Sequence, residues 1–228
     1  MRDGAWENMS GSLKKIAVDL MVFDLDGTLA DSLPDLTVAA NYAGRRLGLP
    51  ERLPEVVAGM IGGGERKFME RLAGPGNQAL VDDLLALYLD YYSAHCAELT
   101  RLYPGVRETL EKLAGKNLAV LSNKLQRLTE QVLQALGIAH FFRACRGGGP
   151  ELPLKPSPEP LTALIRDLGA EPGRTLMVGD KLADLSTARG AGARMAVVTY
   201  GYGDLESLRA AAPDFLLARF DQLVEIVE

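Results

Sequence analysis

Four short segments of this 228-residue chain carry side chains suited to handling a phosphate group. Asp24-Leu25-Asp26-Gly27-Thr28 sets two carboxylates two residues apart, followed by a glycine and a hydroxyl. Ser122-Asn123-Lys124 adds a second hydroxyl, Lys155-Pro156 an ammonium, and Gly179-Asp180 with Asp184 two more acids. Magnesium requires near-octahedral oxygen ligation, met by one or two carboxylates together with water and substrate oxygens. Asp24 and Asp180 are the candidates to supply them. A carboxylate can also attack phosphorus to give an acyl-phosphate, and a bound cation lessens its repulsion from an anionic ester. Asp26 is the candidate general acid and base. Lys155, Ser122 and the backbone amides after Asp24 are candidates to hold the equatorial oxygens, where charge must be stabilised in phosphoryl transfer. Gly27 lets that backbone approach closely.

Each residue also has a plainer reading. Aspartates after strands commonly shape loops, and Asp184 would suit the first turn of a helix for its charge alone. Ser122 could cap the helix that follows, and a lone lysine is usually solvated. What argues for chemistry is the order of the four segments and where the fold must place them.

The elements that position them alternate in period. Ala17 to Phe23 is a continuous apolar run, expected as a buried strand. Asp31 or Ser32 is the expected N-cap of a helix running toward Leu47, with Pro34 in its first turn. From about Glu51 to Leu99 the pattern is helical throughout, clearest where Leu80, Leu84, Leu87, Tyr88, Tyr91 and His95 share one face. Gly62 to Gly64 and Gly74-Pro75-Gly76 divide this region, with Arg66 and Lys67 beside the first break. Strands are then expected at 118–121, 144–145, 175–178, 196–199 and 215–217, with helices at 125–136, 157–168 and 183–191 and a last one reaching Val227. The expectation is an α/β fold: a Rossmann-like parallel sheet covered on both faces, with an inserted all-helical cap. Its core is 17–32 and 101–228, its cap 33–100, and residues 1–16 are an N-terminal extension. In an open parallel sheet, ligands bind beyond the carboxyl ends of the strands, which is where the four segments fall.

Composition narrows the partners. Apolar residues make 47% of the chain and charged ones 24%, an ordinary globular balance. A net charge of −5 speaks against duplex nucleic acid or an anionic membrane surface. Cys96 and Cys145 are far apart and the two histidines, His95 and His140, lack ligand-spaced neighbours, so a hard, oxygen-held cation is expected rather than zinc. The first apolar stretch is cut by Asp19, Asp24 and Asp26, unlike a signal-peptide core or a membrane span. A cytoplasmic protein is expected, with a homodimer left open. Gly147 to Gly149 is not a nucleotide-binding loop, because no Gly-Lys-Ser/Thr follows.

Taken in order, these segments resemble the four motifs of the haloacid dehalogenase superfamily, in its phosphoglycolate phosphatase-like branch. Asp24 to Leu29 matches the first motif, Ser122-Asn123 the second, Lys155-Pro156 the third, and Gly179-Asp180 with Asp184 the fourth. Lys155 to Leu161, Tyr200-Gly-Tyr-Gly203 and Gly62 to Gly64 resemble that branch too. The resemblance implies Asp24 as nucleophile and Asp26 as acid and base, with Lys155 also catalytic. It implies magnesium held by Asp24, the Asp26 carbonyl and Asp180, with Asp184 in support. Gly27, Thr28, Ser122, Asn123 and Lys155 would surround the phosphate of a small phosphorylated metabolite, phosphoglycolate being the best single substrate. Three other activities fit the same frame: a sugar-phosphate mutase of the β-phosphoglucomutase type, a carbon–halogen hydrolase, and a non-catalytic protein that keeps only the fold. The halogen chemistry has no need of Asp26 or a metal. Two positions depart from the pattern. Ser122 stands where threonine is frequent, and Lys181 follows Asp180 where a small residue is usual. That second ammonium would either compete for Asp180 or contact substrate.

Overall fold

The computed structural model describes residues 15–151 and 153–228; most of the expected N-terminal extension, residues 1–14, lies outside them. Of that extension, Ile16 pairs with Val227 in a parallel bridge.

Five further strands pair in parallel around β1 (Leu20–Phe23): β4 (Asn117–Leu125), β5 (Ala144–Gly148), β6 (Thr175–Gly179), β7 (Arg194–Val198) and β8 (Phe215–Leu217). Their spatial order is β5-β4-β1-β6-β7-β8. β1 thus lies where the order reverses, between the earlier strands on one side and the later ones on the other. The crevice at such a reversal is the standard ligand position of a doubly wound sheet.

Burial on both faces explains the apolar run in β1. Met21 and Phe23 face one core, with Leu176, Val178, Ala196 and Val198. Leu20 and Val22 face the other, with Met177, Met195 and Val197. The second core is covered by α7 (Glu159–Asp167), α8 (Leu182–Gly190) and α9 (Leu205–Ala210). The first is covered by α5 (Val106–Lys112), α6 (Gln126–Ala135) and α10 (Leu223–Ile226), and continues into a helical insertion. That insertion comprises α1 (Leu33–Arg46), α2 (Pro54–Met60), α3 (Gly64–Ala73) and α4 (Val81–His95). It is entered and left through a short antiparallel pair, β2 (Ala30–Asp31) with β3 (Arg101–Leu102).

The junction is tied by buried polar contacts. Asp35, in the first turn of α1, accepts hydrogen bonds from the Leu99 and Thr100 amides and the Thr100 hydroxyl at 2.7–3.0 Å. Tyr202, from the loop after β7, donates its hydroxyl to Asp31 and accepts from the Ser32 and Leu33 amides.

Three expectations change in detail. Ser32 occupies the N-cap position of α1, yet its side chain makes no cap bond; its hydroxyl is used on Asp26. In α4 the buried face is Val81, Leu84, Tyr88 and Tyr92, one position round from the expected stripe. Tyr91 instead stacks between Tyr42 and His95. α4 is apolar around much of its girth, so only the neighbours it packs against select the face. β4 runs through the second motif instead of ending before it, with a register shift against β5 between Leu121 and Leu125.

Candidate active site

The carboxyl ends of β1, β4 and β6 and the Gly62–Gly64 turn of the insertion surround a cavity of about 70 Å³. One water needs roughly 10–15 Å³ measured this way, so the space suits a small ligand and a few waters. Asp24, Asp26, Ser122, Asn123, Lys155 and Asp184 all reach its wall.

Asp24 continues the β1 ladder, its amide donating to the Val178 carbonyl. Its side chain is buried, and its two protein donors, the Leu25 amide at 2.7 Å and Lys155 Nζ at 2.9 Å, both fall on Oδ1. Oδ2 is left for a ligand. Lys155 is only 4% exposed and spends three donors: on Asp24, on Asp184 Oδ1 at 2.7 Å and on the Leu121 carbonyl at 3.0 Å. An ammonium has three donors, so its position is fully determined. Burial alone would lower its pKa, but the Asp184 and Asp24 carboxylates outweigh that and raise it. Asn123 locks the Lys155 backbone from both sides, donating to its carbonyl and accepting from its amide at 2.8 Å. Its amide group therefore positions Lys155. The Lys155–Pro156 peptide is cis.

One carboxylate oxygen from each of Asp24, Asp180 and Asp184 lies within 4.8 Å of the others, all three residues being buried. Desolvation raises the pKa of Asp24 and of Asp180, and the neighbouring carboxylates raise both further, while Lys155 offsets this in part at Asp24. An all-oxygen cluster short of positive charge fits a hard divalent cation. Asp180 is aimed by the Tyr202 amide at 2.7 Å and more weakly by the Thr28 hydroxyl at 3.4 Å. Asp184 also accepts from the Lys181 amide at 2.9 Å, tying the start of α8. Thr28 thus serves Asp180 rather than the cavity, and Gly27 packs directly on that same carboxylate.

At Gly27 the backbone is left-handed (φ +85°), and a Cβ would stand 2.4 Å from Asp180 Oδ2. Gly27→Ala is accordingly expected to lower the unfolding free energy by about 1–2 kcal/mol from backbone strain alone. Displacement of Asp180 adds to that cost. A urea midpoint equal to wild type would show that the turn has another way to relax.

Asp26 is held by two contacts. Ser32 Oγ donates to Oδ1 at 2.6 Å, and Lys124 Nζ lies 3.1 Å from Oδ2. Lys124 is buried, donates to the Tyr92 hydroxyl at 3.0 Å and sits over that ring at 4.6 Å. Burial works against its charge, but Asp26, Tyr88 and Glu65 more than compensate and bring its pKa to about 12. Sequence reasoning assigned Lys124 and Ser32 no place here. The first was visible as the third residue of Ser122-Asn123-Lys124, but its partner lies in another segment. Arg66, beside the glycine turn, pairs with Asp82 at the surface.

A model of the family described as haloacid dehalogenase-like hydrolase matches residues 21–198. The chain belongs to that family. Among haloacid dehalogenase-like proteins, it is 36% identical over 219 residues to the phosphoglycolate phosphatase of Vibrio parahaemolyticus serotype O3:K6, covering 92% of this chain and 96% of that one. The crystal structure of a "predicted phosphoglycolate phosphatase" from Haemophilus somnus 129pt superposes with a TM-score of 0.86 at 32% identity, over 91% of this chain and 97% of that one. CbbY from Rhodobacter sphaeroides, solved in complex with phosphate, gives 0.73 at 25% identity, over 90% and 96% of the two chains. The parallel six-stranded sheet is the haloacid dehalogenase-like fold, and the chain is a hydrolase of that family. Among the described residues, no helix is long and apolar enough to cross a membrane.

Proposed function

We propose that this hydrolase is a magnesium-dependent phosphatase for small phosphomonoesters, phosphoglycolate foremost, working through an aspartyl-phosphate on Asp24. The observation that carries this reading is the free Oδ2 of Asp24. It belongs to a buried carboxylate at the switch point of the sheet, held by Lys155 through its other oxygen. The relatives named phosphoglycolate phosphatase support the substrate.

Asp24, Asp180 and Asp184 would hold the magnesium, which supplies positive charge against the phosphoryl oxygens and eases approach of an anionic nucleophile. The chain's own residues do the rest. Asp24 Oδ2 forms the bond to phosphorus while the ester P–O bond breaks. Asp26 gives its proton to the departing alkoxide, and the resulting carboxylate is stabilised by Ser32 and Lys124. In the second half, Asp26 takes a proton from water as that water attacks phosphorus, freeing phosphate and restoring Asp24. The Ser122 hydroxyl is the donor left for the transferred group, where charge is greatest in the transition state. Lys155, expected from the sequence to hold the equatorial oxygens, has its three donors spent on Asp24, Asp184 and Leu121 and contributes positive charge beside them. Residues 33–100 act as a cap that closes over this chemistry and limits the water admitted.

Phosphate release from phosphoglycolate is expected with millimolar magnesium, to vanish with excess chelator, and to return when magnesium is restored. Chelator-resistant turnover would remove the metal from the mechanism. Phosphate release short of stoichiometric with substrate loss would favour transfer to another hydroxyl instead.

A further inference from the structure

We propose that Lys181 recognises a carboxylate on the phosphomonoester and so selects short acidic esters over uncharged ones; the inference rests on the phosphatase reading and deepens it. Three ammonium groups line the cavity: Lys124, Lys155 and Lys181. The first two already lie against carboxyl groups of the proposed catalytic set, Lys124 against Asp26 at 3.1 Å and Lys155 against Asp24 and Asp184. Lys181 takes part in no ion pair among the described residues. Its Nζ donates to the Ile61 carbonyl at 2.5 Å and lies 5.8 Å from the centre of the Tyr202 ring. Both partners are neutral. Two of its three donors are therefore left for a ligand.

The backbone of Lys181 and the tip of its side chain are both fixed before any ligand arrives. The Lys181 amide is bound by Asp184, and the tip by Ile61 of the insertion. Such preorganisation lowers the entropic cost of binding. Next to the tip, Ile61 and Gly62 bring no charged side chain, and Leu36 and Phe68 make other parts of the wall apolar. The acid on the insertion's side of the wall, Glu65, is turned to the Leu125 amide at 2.8 Å, at the Lys124 end. The small volume suits an ester whose carboxylate lies close to the ester carbon.

The sequence left two roles for this residue, competition for Asp180 or contact with substrate. Asp180 takes its hydrogen bonds from Tyr202 and Thr28, not from Lys181, whose charge acts on that carboxylate only through space, lowering its pKa. The two donors of Lys181 are therefore not spent on Asp180.

The test compares kcat/KM for 2-phosphoglycolate with that for ethyl phosphate, which keeps the two-carbon chain but has no carboxylate, under saturating magnesium. Wild type is expected to prefer phosphoglycolate. In Lys181→Met the preference should fall by about 10- to 100-fold, as expected for loss of a charge-assisted hydrogen bond, with KM carrying most of the change. Lys181→Gln retains a donor for Ile61 without the charge and should fall equally, whereas Lys181→Arg should keep most of the preference. Because any disturbance of Asp180 would slow both esters alike, the ratio isolates recognition. An unchanged ratio in both the Met and Gln variants, with ethyl phosphate still turned over, overturns the role of Lys181 alone. Hydrolysis of neither ester by wild type overturns the phosphatase reading and this inference together.

Discussion

Asp24→Asn is expected to abolish turnover of phosphoglycolate, a fall of at least about a thousand-fold, the scale seen when a catalytic nucleophile is removed. Asparagine is close to isosteric, so the cavity should keep its shape, but its amide cannot form the acyl-phosphate. The fold should persist. Burial and the Asp184 carboxylate raise the pKa of Asp24, which marks a charge the folded state holds at a cost. Lys155 would keep Asp184 as its partner at 2.7 Å. The variant should therefore show a native circular dichroism spectrum and a melting temperature no lower than wild type by more than a few degrees. The complementary experiment is borohydride trapping during turnover, which reduces an acyl-phosphate to the alcohol and would convert Asp24 to homoserine. Surviving magnesium-dependent turnover in Asp24→Asn, or homoserine at another aspartate, would end the proposed mechanism.

Lys155→Met should damage stability most, and activity with it. This ammonium joins the first and fourth motifs, and its shortest partner, Asp184 at 2.7 Å, is buried. Removing one partner of a buried ion pair costs about 3–5 kcal/mol, because the other is left uncompensated. For a chain of this length that corresponds to a melting temperature lower by roughly 6–20 °C, at 2–4 °C per kcal/mol. The loss should be largest in chelator and smaller with magnesium, since a cation among Asp24, Asp180 and Asp184 replaces part of the missing charge. Lys155→Arg should recover little activity. A planar guanidinium cannot serve three acceptors arranged for a tetrahedral ammonium. Equal melting temperatures for wild type and Lys155→Met in chelator would show that the carboxylates find relief elsewhere.

The first and fourth motif segments were legible because they put chemistry just beyond β1 and β6, where local pattern and ligand position coincide. The second lies inside β4 and the third in the loop before α7, and those two were legible from motif order. The helical insertion was legible in outline for a similar reason: a long stretch with helical period, broken by glycines, between two stretches of a different rhythm. Details that depend on neighbours were not. The buried face of α4 moved one position, from Tyr91 to Tyr92, because several faces are apolar enough to bury. Ser32 reads locally as a helix cap, but Asp26 competes for its hydroxyl and wins at 2.6 Å.

Sequence alone determined the α/β class and the alternation of strands and helices, since these follow from local periodicity, and it nominated carboxylates, hydroxyls and a lysine from residue type and motif order. Only the tertiary structure decided how the charges are shared. Lys155 takes Asp24 and Asp184, Lys124 takes Asp26, and Lys181 is left with a carbonyl from the insertion. Three lysines look alike in a chain. They differ once folded because electrostatic energy depends on distance and burial, and those are set by segments far apart in sequence.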